Sequence, residues 1–231
     1  MNKEVLRFDN VSYTYPGGIE ALGGISFAIA EGERVALLGL NGSGKSTLLL
    51  TAAALLLPDS GTVAIGGARL TKDSASECRK NIGMVFQNSD DQLFMSTVEA
   101  DVAFGPRNMK LDEAEIARRV DEALALTGCT ALRGRSPWSL SGGQKKMVSI
   151  ATVLSMSPGI LVLDEPTSGL DYAAQRTFSE IASSLPQAML MATHDLDIAR
   201  GLCSRAIILD KGLVVYDGDI SSAPYPPKQQ S

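Results

Sequence analysis

The chain has 231 residues, 45% of them hydrophobic and 20% charged, with a formal net charge of −5; this suits one large domain with a sizeable core and disfavours a broad basic nucleic-acid-binding face. Its longest apolar run, Leu48 to Leu57, is about half of what a bilayer span needs, and the opening Met1-Asn2-Lys3-Glu4 carries no apolar leader. Cys78, Cys129 and Cys203 have no paired spacing, so isolated thiols in a cytosolic protein are expected rather than a disulfide frame or a metal site.

In chain order, Val5 to Phe8, Val11 to Tyr15, Ile25 to Ile29 and Arg34 to Leu38 read as short strands. Pro16-Gly17-Gly18 and Glu31-Gly32-Glu33 punctuate them. Lys45 to Leu56 reads as a helix, and Thr62 to Ile65 and Ile82 to Phe86 as further strands. From about Thr97 to Leu154 the signals are mainly helical. Asp112 with Glu115 resembles a capping box, Ile116, Val120 and Leu124 share one face, and Gly128 stops that helix. Another helix starts near Ser141 and turns Met147, Ile150, Ala151 and Leu154 inward. Strands and helices then alternate: strand Ile160 to Leu163, helix Asp171 to Leu185, strand Ala188 to Thr193, helix Asp195 to Cys203. A hairpin of Ala206 to Leu209 and Leu213 to Tyr216 follows, turning at Lys211-Gly212. Such alternation predicts a parallel sheet covered by helices. The proline-bearing stretch from Ser221 reads as a disordered tail.

Three motifs carry chemistry. Gly39-Leu40-Asn41-Gly42-Ser43-Gly44-Lys45-Ser46 fits G-x-x-x-x-G-K-[ST] between a strand and a helix. Its backbone N–H groups can cradle phosphates, Lys45 can reach the β- and γ-phosphates, and the Ser46 hydroxyl can ligate Mg²⁺. A chance match in a chain this long is on the order of one in a hundred. Leu161-Val162-Leu163-Asp164-Glu165 is a buried strand that delivers two carboxylates to the carboxyl edge of the sheet. In P-loop enzymes an Asp at such a strand end helps hold Mg²⁺, and a neighbouring Glu can accept a proton from the attacking water. Leu140-Ser141-Gly142-Gly143-Gln144 opens a helix and offers a second set of N–H donors to an anion.

In their order, the phosphate loop, Gln87 after a strand, Leu140 to Gln144, Leu163-Asp164-Glu165-Pro166, Ser168-Gly169-Leu170-Asp171 and His194 after the next strand resemble an ABC-transporter ATP-binding subunit. The resemblance spans about residues 4 to 218. It implies an α/β P-loop NTPase (RecA-like) core with an N-terminal antiparallel β sub-lobe and a helical sub-lobe inserted at about 89–156. One ATPase domain is then expected over 1–220, with the tail at 221–231. The resemblance implies ATP and Mg²⁺ as cofactors. Asn41, Gly42, Ser43, Gly44, Lys45, Ser46 and Thr47 match the phosphate and Mg²⁺ contacts, and Tyr15 the aromatic that stacks on adenine, with Tyr13 the other candidate. Asp164 resembles the Mg²⁺-supporting carboxylate and Glu165 the catalytic base. Gln87 matches the residue that touches Mg²⁺ and the attacking water and senses the membrane partner. Asp171 matches the aspartate at a dimer seam. His194, the sole histidine, matches the sensor of the γ-phosphate. In this family Ser141, Gly142, Gly143 and Gln144 close over the γ-phosphate held by a second subunit.

Gln87-Asn88-Ser89-Asp90-Asp91-Gln92-Leu93-Phe94 is similar to a segment of energy-coupling-factor importers, with Ser89 where they carry proline. That branch includes cobalt, nickel and biotin uptake systems. It implies a transmembrane energy-coupling subunit, a substrate-binding membrane subunit and a second ATPase subunit, identical or not, as partners. The chain is then peripheral, at the cytoplasmic face of the membrane. Cobalt or nickel is the first substrate expectation, and biotin or another vitamin the next. Asp90, Asp91, Leu93 and Phe94 are expected to line a groove for the partner's coupling helices. A soluble ATP-switched assembly scaffold shares the nucleotide motifs without needing that groove. A P-loop small-molecule kinase leaves Ser141 to Gln144 without a purpose.

Overall fold

The computed structural model describes residues 3–224. Two long strands come first, β1 (Glu4–Tyr15) and β2 (Ile19–Ala30), then β3 (Arg34–Gly39) and α1 (Lys45–Ala52). Next are β4 (Ser60–Ile65), β5 (Ala68–Arg69), α2 (Ala75–Lys80) and β6 (Ile82–Val85). Three helices follow, α3 (Val98–Asn108), α4 (Glu113–Leu126) and α5 (Gly142–Leu154). The chain continues as β7 (Ile160–Asp164), α6 (Tyr172–Ser184), β8 (Ala188–Ala192), α7 (Leu196–Leu202), β9 (Arg205–Asp210) and β10 (Leu213–Asp219).

β1 and β2 are each continuous where shorter strands are expected. Val5 to Phe8 and Val11 to Tyr15 are one strand, because a bulge at Asn10, with φ 49°, bends it without ending it. The antiparallel sheet runs β2-β1-β4-β5. The larger sheet runs β10-β9-β3-β8-β7-β6 and is parallel except for β10.

The central strands are apolar on both faces and alternate between two cores, as strands covered on both sides must. Ala36, Leu38, Leu161, Leu163, Met189 and Met191 join a core with the inner faces of α3, α4, α5 and α6. Val35, Leu37, Ile160, Val162, Leu190 and Ala192 join a second core with α1 and the antiparallel sheet.

The helical layer starts where caps were readable. Asp112 accepts from the Glu115 N–H at 2.9 Å, and Ile116, Val120 and Leu124 are buried. At α5 the capping box is complete: Ser141 Oγ accepts from Gln144 N, and Gln144 Oε1 accepts from Ser141 N. α1 ends at Ala52, four residues earlier than expected. Ala54 takes φ 56°, its carbonyl receives Arg79 Nη1 at 3.0 Å, and Pro58 restricts the residue before it. After β10, Ile220–Ser222 form a 3₁₀ turn, and residues 225–231 of the expected tail lie outside the described residues.

Candidate active site

Strand order explains how motifs far apart in sequence meet. β3, β8, β7 and β6 are parallel neighbours, so their carboxyl ends lie along one edge of the sheet. From those four ends leave, in spatial order, the Gly39–Ser46 loop, Thr193-His194, Asp164-Glu165 and Phe86-Gln87.

The Gly39–Ser46 loop enters α1 without a side-chain cap, and the first turn of α1 has no acidic residue. Its first N–H groups are thus available to an anion. Gly44 holds the entry at φ 105°, and a Cβ there would stand 2.4 Å from the Ala21 carbonyl of β2. The loop is also tied to the β9–β10 hairpin, where Gly212 N–H donates to Ser43 O at 2.9 Å. Lys45 Nζ folds back to donate to Gly39 O at 2.8 Å and Leu40 O at 3.1 Å. Burial lowers its pKa, while Glu165 and Asp164 pull it the other way.

Asn41, Gly42, Gly44, Lys45, Ser46 and Thr47 line a cleft of about 280 Å³ with Tyr15 and Ile19 to Ala21. Tyr15 Oη lies 3.1 Å from Thr47 Oγ1. The Tyr13 ring stands edge-on to it, 5.0 Å away, and packs against the core behind. Of the two tyrosines, Tyr15 borders the cleft. Ser43 is buried beneath the loop rather than lining its mouth.

Glu165 adopts φ 44°, uncommon for a residue with a Cβ, and is held there by Glu165 N–H to Ala192 O at 2.9 Å. Its Oε2 lies 2.8 Å from His194 Nδ1 and accepts from the His194 backbone N–H at 3.4 Å. The carboxylate is thus largely buried, while the imidazole is 74% exposed. Beside them Asp164 makes no side-chain hydrogen bond within the described residues, and burial raises its pKa, with the neighbouring Glu165 charge adding to the shift. Lys45 and Lys146 oppose it. A free carboxylate of this kind, with the exposed Ser46 hydroxyl, is an oxygen-only donor set that fits a hard cation such as Mg²⁺. Among the described residues no group of three or more His, Cys, Asp or Glu could hold a metal by itself.

Gln87 is exposed and does not border the nucleotide cleft. It lines a second cleft with Gly142, Lys145, Lys146 and Ser168 to Leu170. Ser141, Gly142, Gly143, Gln144 and Asp171 line a third and larger concavity, about 690 Å³, with Thr127 to Cys129 and Ala174. None of those five residues touches the phosphate-loop cleft. Asp171 caps α6 through Ala174 N–H at 2.8 Å, and Gln144 is engaged in the capping box.

The segment after Gln87 departs from expectation. Leu93 is 1% exposed and belongs to the core, so it lines no groove. Gln92 also turns inward: Nε2 donates to Ser149 O and Thr152 Oγ1, each at 2.8 Å, and Oε1 accepts from Phe86 N–H. Asp90 pairs with Lys145 at 2.6 Å. Asp90 is itself exposed, and with it stay outside Asp91 and an edge-to-face pair of exposed rings, Phe94 and Phe104. Lys146 had no assigned role. It is 2% exposed, and its Nζ donates to Phe86 O at 2.9 Å and Gln87 O at 2.8 Å. Burial brings its pKa down to about 8, against the pull of Asp164. The available signal was a lysine at a buried helical phase, four residues before Ile150.

Comparison with known proteins agrees with this geometry. The family model for the ABC transporter matches residues 22–168. The energy-coupling factor transporter ATP-binding protein EcfA of Carboxydothermus hydrogenoformans is 45% identical over 219 residues, 94% of this chain and 81% of that protein. The structure of cbiO1 from Clostridium perfringens, described as part of the ABC transporter complex cbiONQ, superimposes with a TM-score of 0.84 at 39% identity. That match covers 95% of this chain and 90% of that one. A dimeric ATP-binding cassette in a post-hydrolysis state with ADP and Pi gives a TM-score of 0.84 at 29% identity, covering 93% and 98%. The phosphate loop, the carboxylate-bearing strand at the same sheet edge and a match over most of the chain make this protein a member of the ABC transporter ATP-binding family, an ATPase with the P-loop NTPase fold.

Proposed function

We propose that this chain is the ATP-hydrolysing subunit of an energy-coupling-factor importer, working as a pair of ATPase subunits against membrane partners. The observation that carries the paired reading is the separation of the Ser141–Gln144 concavity from the phosphate-loop cleft on one chain. A nucleotide on the Gly39–Ser46 loop meets only half of its expected donors, and a second subunit supplies the rest. ATP is then the ligand that binds the closed pair better than the open one.

Asn41 to Thr47 hold the phosphates and Tyr15 stacks on adenine. Ser46, Asp164 and Gln87 hold Mg²⁺, which when bound offsets phosphate charge. Glu165 takes a proton from the attacking water, and His194 fixes its carboxylate from the exposed side. Asp171 sits at the seam. Glu165→Gln is expected to lower turnover by about 10²- to 10⁴-fold, the usual worth of a general base, while ATP-dependent pairing survives. A variant with normal turnover refutes the assignment.

The importer branch rests on the Gln87 to Phe94 segment and on similarity to EcfA and cbiO1. Cobalt or nickel is the proposed cargo, ahead of biotin or another vitamin. Among the described residues no helix is long and apolar enough to cross a membrane, consistent with a peripheral subunit at the cytoplasmic face. Asp91, Phe94 and Phe104 offer the docking face. Purification of the tagged protein from membranes should recover a transmembrane coupling subunit and a substrate-binding subunit. Recovery without either favours the soluble scaffold.

A further inference from the structure

The buried ammonium of Lys146 lies outside every role given so far. β6 leaves its ladder at Val85, paired with Leu163, so the carbonyls of Phe86 and Gln87 lie beyond the sheet's own hydrogen bonds. Lys146 Nζ reaches both, at 2.9 and 2.8 Å, from inside α5. Two further rungs join the same helix to the same segment: Lys145 to Asp90 at 2.6 Å, and Gln92 to Ser149 and Thr152 at 2.8 Å each. α5 is also the helix that Ser141 and Gln144 cap.

We infer that Lys146 is a positioning residue, which fixes the backbone of Gln87 to the helix carrying Ser141 to Gly143, so that the two move as one body. The inference rests on the reading of Gln87 as a residue that touches the attacking water. Through these rungs, pressure on the Asp90–Phe94 segment reaches Ser141 without crossing the β sheet. Charge-assisted bonds to two carbonyls suit the task, because they are strong and their acceptors have no partner in the sheet. A lysine that only satisfied two strand-end carbonyls would stabilise the fold without acting through the Gln87 side chain.

A kinetic cycle separates the two. Steady-state ATP hydrolysis is measured for the full chain and for Gln87→Ala, Lys146→Met and the double variant. Lys146→Met is expected to lower kcat about tenfold, the scale of one charge-assisted hydrogen bond, with KM for ATP within about twofold. Lys146→Arg restores most of the loss. The double variant is expected to match Gln87→Ala alone, because the lysine then has nothing left to position. Multiplicative losses in the double variant, or wild-type kcat in Lys146→Met, overturn the inference. Wild-type kcat in Gln87→Ala removes the reading of Gln87 itself and the inference with it. Thermal melting and ATP binding report folding. If Lys146→Met does not fold, Lys146→Gln, which keeps an N–H donor, carries the same cycle.

Discussion

Gly44→Ala tests the phosphate loop where the fold presses on it hardest. The residue sits at φ 105° and ψ 0°, which costs a residue with a Cβ about 1–2 kcal/mol. The added methyl would stand 2.4 Å from the Ala21 carbonyl. That oxygen belongs to a backbone held in the β1–β2 ladder, between the Leu22 and Glu20 pairs, so it cannot swing aside as a side chain would. Overpacking of this kind adds about 1–2 kcal/mol, for a total of about 2–4 kcal/mol. If the loop keeps its shape, the whole cost falls on stability, and the melting temperature drops by about 4–16 °C at about 2–4 °C per kcal/mol. If the loop moves instead, the cost appears in ATP binding, where about 3 kcal/mol weakens the Kd about 150-fold. The two readouts together must account for the total. Gly42→Ala is the control: its φ is 78°, yet nothing lies within 4 Å of an added Cβ, so only the backbone cost remains. Calorimetry and titration with ATP measure both. A Gly44→Ala protein with wild-type melting and wild-type Kd refutes the steric argument.

Tyr15→Ala is expected to weaken ATP binding about 5- to 150-fold, from a stacking contribution of about 1–3 kcal/mol. Tyr15→Phe loses only the 3.1 Å contact with Thr47 and should stay within about threefold. Tyr13→Ala should lower stability more than affinity, since that ring packs on the core; equal losses of affinity in Tyr13→Ala and Tyr15→Ala would reject the assignment. The cysteines give a pH-dependent test. Burial pushes the Cys203 thiol up to about 12. At pH 8 its thiolate fraction is then about 10⁻⁴, against about a quarter for a free thiol. Raising the pH towards that value increases the thiolate about tenfold per unit, so native alkylation should accelerate with pH and be about 10³-fold slower at pH 8 than in denaturant. Mass spectrometry of alkylated protein measures this, and rapid native labelling of Cys203 at pH 8 contradicts the burial.

The parts of the fold and site that the sequence disclosed are those set by local chemistry. The glycine-bearing loop, the Asp112 cap and the Ile116-Val120-Leu124 stripe each announce themselves within a few residues. So does the Lys211-Gly212 turn, whose φ values of 45° and 77° suit a tight hairpin. What was misread depends on contacts distant in sequence. A β bulge at Asn10 looks like a strand end until Ser26 Oγ is seen accepting its N–H. The early stop of α1 involves Arg79, 25 residues later. Leu93 reads as part of a docking groove, and Gln92 shows no sign of turning inward, because the partners of Gln92, Ser149 and Thr152, lie on a helix more than 50 residues away. Lys146 is hard to place from sequence for the same reason: a charge inside a helix stripe has no visible partner until β6 is laid beside α5.

The chain brings together one side of its chemistry and leaves the other open, and the contrast is physical. Lys45, Asp164, Glu165 and His194 are already coupled through the loop carbonyls, the Glu165–His194 contact and mutual charge. Sheet order alone achieves this, because three adjacent parallel strands, β3, β8 and β7, deliver them to one edge. Binding ATP there requires Lys45 to exchange its bonds to Gly39 and Leu40 for phosphate, a trade between hydrogen bonds that a charged ligand favours. Ser141 to Gly143 gain no such ligand within the chain. The capping box at their helix start engages the Ser141 and Gln144 N–H groups and not those of Gly142 and Gly143, and Trp138 and Tyr172 stand exposed next to the motifs. Exposed large aromatics that adjoin the lining residues in sequence suit a surface completed by another molecule. On the proposed reading that molecule is a second ATPase subunit carrying its own nucleotide. The His194 imidazole, open on its outer side, would be covered in the same event. Turnover should then depend on the square of subunit concentration when pairing is weak, and a first-order dependence across the dilution range would argue for a site complete in one chain.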